Sequence, residues 1–158
     1  MDLFEEFFNT IAALEDRKVE YILIGGFAVV LHGMPRTTQD IDIFIRPEKD
    51  NIEKLKEALH SVFNDPSINE ISLEELQKYP VIRYGTPDGF SIDLIVNLGE
   101  AFSFNDIEFE FKQIEGLHIK IATPKALFEM KKNTFRESDQ IDVNFLMDKI
   151  NQRGKDGH

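Results

Sequence analysis

Val19-Glu20-Tyr21-Ile22-Leu23-Ile24-Gly25-Gly26-Phe27-Ala28-Val29-Val30-Leu31 and, one loop later, Asp40-Ile41-Asp42-Ile43-Phe44-Ile45-Arg46 decide how this chain folds. Val19 to Ile24 is compact, apolar and partly β-branched, which predicts a strand. Gly25-Gly26 breaks it, and Phe27 to Leu31 starts a short helix. Gly33 and Pro35 stop that helix, a glycine just past the end with a proline beyond it. In the second stretch side chains alternate between faces, so Ile41, Ile43 and Ile45 share one side and Asp40, Asp42 and Phe44 the other. The isoleucine face reads as core, and Phe44 among the acids implies cover on the second face too.

Outward from this centre, Leu3, Phe4, Phe7, Phe8, Ile11 and Leu14 recur at helical spacing and predict an amphipathic first helix. Pro47 ends the Asp-bearing strand and opens a helix with Ile52, Leu55, Leu59 and Val62 as its apolar stripe. Ser72 with Glu75 three residues on predicts a capped short helix before Pro80. Val81 to Tyr84 and Phe90 to Val96 flank Pro87-Asp88-Gly89 and read as a hairpin. A second hairpin joins Ile107–Ile114 to Leu117–Ile121 across Glu115-Gly116. Thr123-Pro124 caps the next helix and Ser138 is read as the cap of the last. The expected class is α+β, a mixed β-sheet flanked by helices in one domain over residues 1–158, the helices of about 123–152 packing on the same core.

Bulk properties narrow the chemistry. A chain of 158 residues can bury roughly two-thirds of its unfolded surface around one core. Cysteine is absent, which removes disulfides, thiolate metal sites and a cysteine nucleophile and leaves oxygen or imidazole as ligands. The acidic start Met1-Asp2-Leu3-Phe4-Glu5-Glu6 is unlike a signal peptide, and the apolar run Tyr21–Leu31 is too short for a bilayer. The reading is a soluble cytoplasmic protein with no membrane partner. A net charge of −11 argues against extended duplex DNA binding. A nucleic-acid end would reach a local pocket through Arg36, Lys125, Lys131, Lys132 and Arg136.

The acids carry the functional reading. Two residues along a strand advance about 6.6 Å and return to the same face, so Asp40 and Asp42 can lean on one cation between them. Mg²⁺ suits such a pair, because it takes hard oxygen ligands and commonly only one or two protein carboxylates. The competing reading is an Asp-x-Asp pair that simply faces solvent. Asp93 is a further acid within an apolar strand, its own face shared with Ser91 and Ile95. An unpaired carboxylate there must take a proton or find a cation, and three together point to a metal site. Gly25-Gly26, where strand becomes helix, leaves backbone N–H groups open to phosphate. His32, beside the helix-ending Gly33, reads as a partner for backbone carbonyls rather than a catalytic group.

Gly25-Gly26-Phe27-Ala28-Val29 followed by Arg36-Thr37-Thr38-Gln39-Asp40-Ile41-Asp42 resembles the DNA polymerase β-like nucleotidyltransferase superfamily, above all its abortive-infection toxin-like and minimal members. The resemblance covers roughly residues 19–46 and 90–96 well and the C-terminal third more loosely. Asp93 matches the third carboxylate. Lys131, Arg136, Asp139 and Asp142 resemble the toxin-like branch's C-terminal Lys and Asp positions, Lys131 best of them. Many members place Ser directly before the first aspartate, whereas this chain has Gln39 there and Thr38 one position earlier. The resemblance implies a nucleotidyltransferase fold and a nucleoside monophosphate moved from an NTP such as ATP to a hydroxyl acceptor, in a toxin–antitoxin setting. It further implies two Mg²⁺ ions held by the catalytic set Asp40, Asp42 and Asp93, and nucleotide bound by Gly25, Gly26, Arg36, Thr38 and Lys131. The acceptor is a small molecule, a protein hydroxyl or an RNA 3′ end, and a cognate toxin or antitoxin is the implied protein partner. The alternative is a non-catalytic nucleotide-binding or regulatory protein of the same fold. A third reading, an interaction domain with solvated aspartates, requires the acids to lie on separate surfaces.

Overall fold

The computed structural model describes residues 3–35, 38, 40–79, 81–97, 103–131 and 137–155. Six strands form one mixed sheet: β1 Tyr21–Ile24, β2 Asp40–Ile45, β3 Ile82–Gly85, β4 Ser91–Ile95, β5 Phe109–Ile114 and β6 Leu117–Ala122, in the spatial order β3-β4-β2-β1-β6-β5. Helices α1 Leu3–Asp16, α2 Gly25–Leu31, α3 Lys49–Phe63, α4 Leu73–Lys78, α5 Pro124–Lys131 and α6 Glu137–Lys155 surround it. This is the α+β arrangement expected, with a mixed β-sheet.

The central pair explains itself from sequence. β1 and β2 run antiparallel with Leu23 opposite Ile43 and Ile24 opposite Asp42. Ile41, Ile43 and Ile45 are fully buried, as is Phe44 on the other face. Burying one such side chain stabilises by about 1.5–3 kcal/mol, so a one-residue slip that exposed the set would be prohibitive. The far end of the pair is held by Asn51 of α3, whose Oδ1 accepts from Glu20 N–H at 2.7 Å while its Nδ2 donates to the Glu20 and Arg46 carbonyls at 2.9 and 3.0 Å.

Both hairpins form as expected. In β5–β6 the two loop residues Glu115 and Gly116 have φ of 53° and 80°, the doubly left-handed geometry that matches the twist of the strands. In β3–β4 the loop closes through Thr86 N–H to the Phe90 carbonyl at 2.9 Å and Gly89 N–H to the Thr86 carbonyl at 3.2 Å. Ser72 accepts from Glu75 N–H at 3.2 Å and Thr123 from Ala126 N–H at 3.2 Å, so two of the three anticipated caps are in place. Two helix starts differ from expectation. α3 begins at Lys49 behind an extended Glu48 rather than at Pro47, and α6 already includes Ser138 in its first turn. Leu127 of α5 and Leu146 of α6 belong to the same hydrophobic cluster as the sheet. Among the described residues no helix is long and apolar enough to cross a membrane.

Candidate active site

The sheet brings the acids together through a pairing that neither strand encodes alone. β2 and β4 are parallel neighbours with Asp42 in register with Asp93 and Asp40 with Ser91. Registered residues in a parallel pair share a face, so Asp42 and Asp93 are side by side and Asp40 lies two residues along. β3 pairs antiparallel with β4 and sets Arg83 opposite Asp93, while Ile24 lies opposite Asp42. One row across the sheet therefore reads Arg83, Asp93, Asp42, Ile24.

This row forms the floor of a cleft of about 470 Å³. Gly25, Asp40, Asp42, Asp93, Arg83 and Lys131 supply its polar lining, and Ile24, Val81, Ile95, Leu127 and Met130 supply an apolar wall. Gly25 fits for a steric reason. Its φ is +74°, and a Cβ there would stand 2.0 Å from Oδ2 of Asp42, so only glycine lets the Asp42 carboxylate lie against the backbone.

The electrostatics of the three acids differ. The Asp42 carboxyl is pushed up to about 7, first by burial, then by the neighbouring Asp93 and Asp40 charges, with Lys131 pulling the other way. Its Oδ1 is buried without a hydrogen-bond partner. Asp93, only 12% exposed at its side chain, is gripped by the fork of Arg83, with Nε 2.9 Å from Oδ1 and Nη2 3.2 Å from Oδ2. The same Nη2 lies 3.6 Å from Oδ2 of Asp40. A guanidinium thus bridges acids of two strands.

These residues fit a hard divalent cation. All candidate donors are carboxylate oxygens, Asp42 presents a buried oxygen without a partner, and a positive group already spans Asp93 and Asp40. No group of three His, Cys, Asp or Glu among the described residues is arranged as a ready-made coordination shell.

The remaining expected residues fall in several places. Lys131, at the end of α5, lines the cleft and reaches back to the fully buried Asp142 of α6, Nζ to Oδ2 3.1 Å. Thr38 turns its hydroxyl onto the Asp40 backbone, 3.4 Å from N and 3.3 Å from O, at the start of β2. Gly26 occupies the second position of α2. Arg36, Gln39, Lys132 and Arg136 lie outside the described residues. Lys125 does not join the cleft: it is exposed and lines a separate depression with Glu108 and Arg153, because it sits at the opposite end of α5 from Lys131. His32 is buried, its Nε2 donating to the Ala122 carbonyl at 2.9 Å, and burial holds its pKa below the usual histidine value. That is a backbone contact, as read, made to a strand rather than to its own helix end. Arg83 and the apolar wall escaped sequence reasoning. The signal for Arg83 was the Pro87-Asp88-Gly89 turn, from which the cross-strand partner of Asp93 follows once the loop length is known.

Comparison with known proteins gives a fold and a family. The fold matches the lincosamide antibiotic adenylyltransferase LnuA, solved with lincomycin bound, with a TM-score of 0.63 at 20% identity over 90% of this chain and 95% of that one. It also matches an antigenic nucleotidyltransferase-like protein from Paracoccidioides brasiliensis, TM-score 0.56 at 18% identity over 89% and 74% of the two chains. The antibiotic-resistance factor ANT(2'')-Ia in solution gives a TM-score of 0.56 at 14% identity over 95% and 86%. No curated protein sequence matches. The model of the nucleotidyl transferase AbiEii toxin family, type IV TA system, matches residues 10–146, a span that contains all three acids, Gly25, Lys131 and Asp142, and on that match the chain belongs to the AbiEii family of nucleotidyltransferases.

Proposed function

We propose that this protein transfers a nucleoside monophosphate from an NTP to a hydroxyl acceptor in the cleft of Asp40, Asp42 and Asp93, in a Mg²⁺-dependent reaction, as the toxin of a type IV system. The observation that carries the reading is the register of Asp42 with Asp93 beside Gly25, which gathers three acids from two strands at one cleft. In the transfer, the acceptor oxygen forms a bond to the α-phosphorus, the bond from that phosphorus to the bridging oxygen breaks, and pyrophosphate leaves. The acceptor hydroxyl proton passes to a carboxylate oxygen of Asp93, which stands next to the apolar wall of Val81 and Ile95. Gly25 keeps the approach to Asp42 clear of a side chain so that triphosphate oxygens come close to the acids, and Gly26 follows it at the start of α2. Lys131, steadied by Asp142, offers positive charge to the triphosphate from the α5 side. Asp40, Asp42 and Asp93 would hold Mg²⁺, which when bound neutralises triphosphate charge and favours the ionised acceptor.

A net charge of −11 leaves no broad basic surface for a long duplex, and the acceptor is read as a small molecule, a protein hydroxyl or the end of an RNA. The test incubates the protein and its Asp42→Asn variant with each α-labelled NTP, Mg²⁺, total RNA and a cell lysate. Transfer by the wild type and none by the variant is expected, and the labelled fraction names the acceptor class. Full activity in the variant, or no labelling from any NTP, would remove the proposal.

A further inference from the structure

Arg83 comes from β3, the edge strand of the sheet, and reaches inward over its neighbour β4. Its planar fork matches both oxygens of Asp93 and touches Asp40 of β2 with the same Nη2. A guanidinium is permanently charged, so in the metal-free protein Asp93 has its counterion and Asp40 shares it at longer range, while Asp42 keeps a buried oxygen without a partner. The side chain of Arg83 is 61% exposed, and that of Asp40 45%, so the arginine side of the cluster opens to solvent and the guanidinium has room to swing away. Asp93 itself is nearly buried, so once Arg83 leaves it needs another cation in its place.

We propose that Arg83 is a built-in competitor for the metal: its guanidinium occupies the cation side of Asp93 and Asp40 and must leave Asp93 before a divalent ion can bind all three acids. This rests on the metal-binding reading given above. A positive group a few ångströms from an incoming dication repels it, and the two share the same oxygen ligands, so both charge and geometry set Arg83 against the ion. Metal binding in the absence of nucleotide is therefore weak by construction. Triphosphate oxygens entering beside Gly25 give the released guanidinium a replacement anion, which makes Arg83 a positioning residue that links nucleotide arrival to metal loading.

The test measures binding of Mn²⁺ alone, without nucleotide, by isothermal titration to the wild type, Arg83→Gln, Arg83→Lys and Asp42→Asn. Arg83→Gln removes the charge and the fork and should bind Mn²⁺ about tenfold or more tightly than the wild type. Arg83→Lys keeps the charge without the fork and should fall between the two. Asp42→Asn should bind least. If Mn²⁺ binding is lost in Asp42→Asn but equal or weaker in Arg83→Gln than in the wild type, the arginine is no competitor and the proposal falls while the metal reading stands. If none of the four proteins binds Mn²⁺, both fall together.

Discussion

In the metal-free protein Asp42 should work against folding at neutral pH, and replacing it with asparagine should stabilise the protein. Its carboxyl moves from an ordinary 3.8 to about 7, chiefly because burial disfavours the charge and secondarily because Asp93 and Asp40 repel it. Between those two pH values the folded state holds a proton that the unfolded chain has already lost. Stability from this group is therefore complete below about pH 4 and declines as pH rises toward 7, after which it stays flat. At about 1.4 kcal/mol per pH unit the interval sets a ceiling of about 4 kcal/mol. The cleft is open to solvent on the Asp40 side, and screening there brings the expected effect to about 2 kcal/mol. Asparagine has the shape of the protonated acid without its titration. In urea unfolding followed by circular dichroism in EDTA, Asp42→Asn should match the wild type near pH 4 and exceed it by about 2 kcal/mol at pH 8. Replacing EDTA with a large excess of Mg²⁺ at pH 8 should raise the wild type modestly and leave the variant unmoved. Parallel pH profiles for the two proteins, or a variant less stable than wild type at pH 8, would refute the assignment of a destabilising acid cluster.

Three further outcomes are expected. Gly25→Ala places a methyl 2.0 Å from Asp42 Oδ2 at a left-handed backbone position, so it should lose about 2–4 kcal/mol in urea unfolding and its response to Mg²⁺ in the same experiment. Asn51→Leu removes three hydrogen bonds to the Glu20 and Arg46 backbone and should cost about 2–3 kcal/mol, measured as a shift in the urea midpoint, without altering Mn²⁺ affinity. Lys131→Met removes one ion-pair partner of the fully buried Asp142 and should destabilise by about 2–4 kcal/mol, whereas the Lys131→Met, Asp142→Leu double variant should recover part of that loss, a result that a double-mutant cycle reads directly.

Much of the fold was legible because its signals are local. The alternation in Asp40–Ile45, the β-branched run before Gly25-Gly26 and the turn residues at Pro87-Asp88-Gly89 and Glu115-Gly116 each act over a few residues, and the strands and hairpins formed where these placed them. Helix starts were less secure. Glu48 took the extended position ahead of α3 that proline alone could not specify, and α6 begins ahead of the serine read as its cap. Among site residues, Asp40, Asp42, Asp93, Gly25 and Lys131 line one cleft, whereas Thr38 is engaged by the Asp40 backbone and Lys125 lies elsewhere.

What the sequence determined by itself is the chemistry on offer: hard oxygen donors in the absence of any cysteine, two aspartates on one face of a buried strand, and a glycine pair just upstream. What only the tertiary structure decided is which groups meet. Asp93 joins Asp42 because β4 lies parallel to β2 in one register, and a slip of a single residue would send it to the opposite face. Arg83 reaches those acids through the neighbouring strand, and Lys131 meets Asp142 through the packing of α5 against α6. Such long-range pairings are chosen by the burial of whole faces rather than by any one segment's preferences, which is why the arginine that holds the acids, though hinted at by its turn, was placed only once the strands were paired.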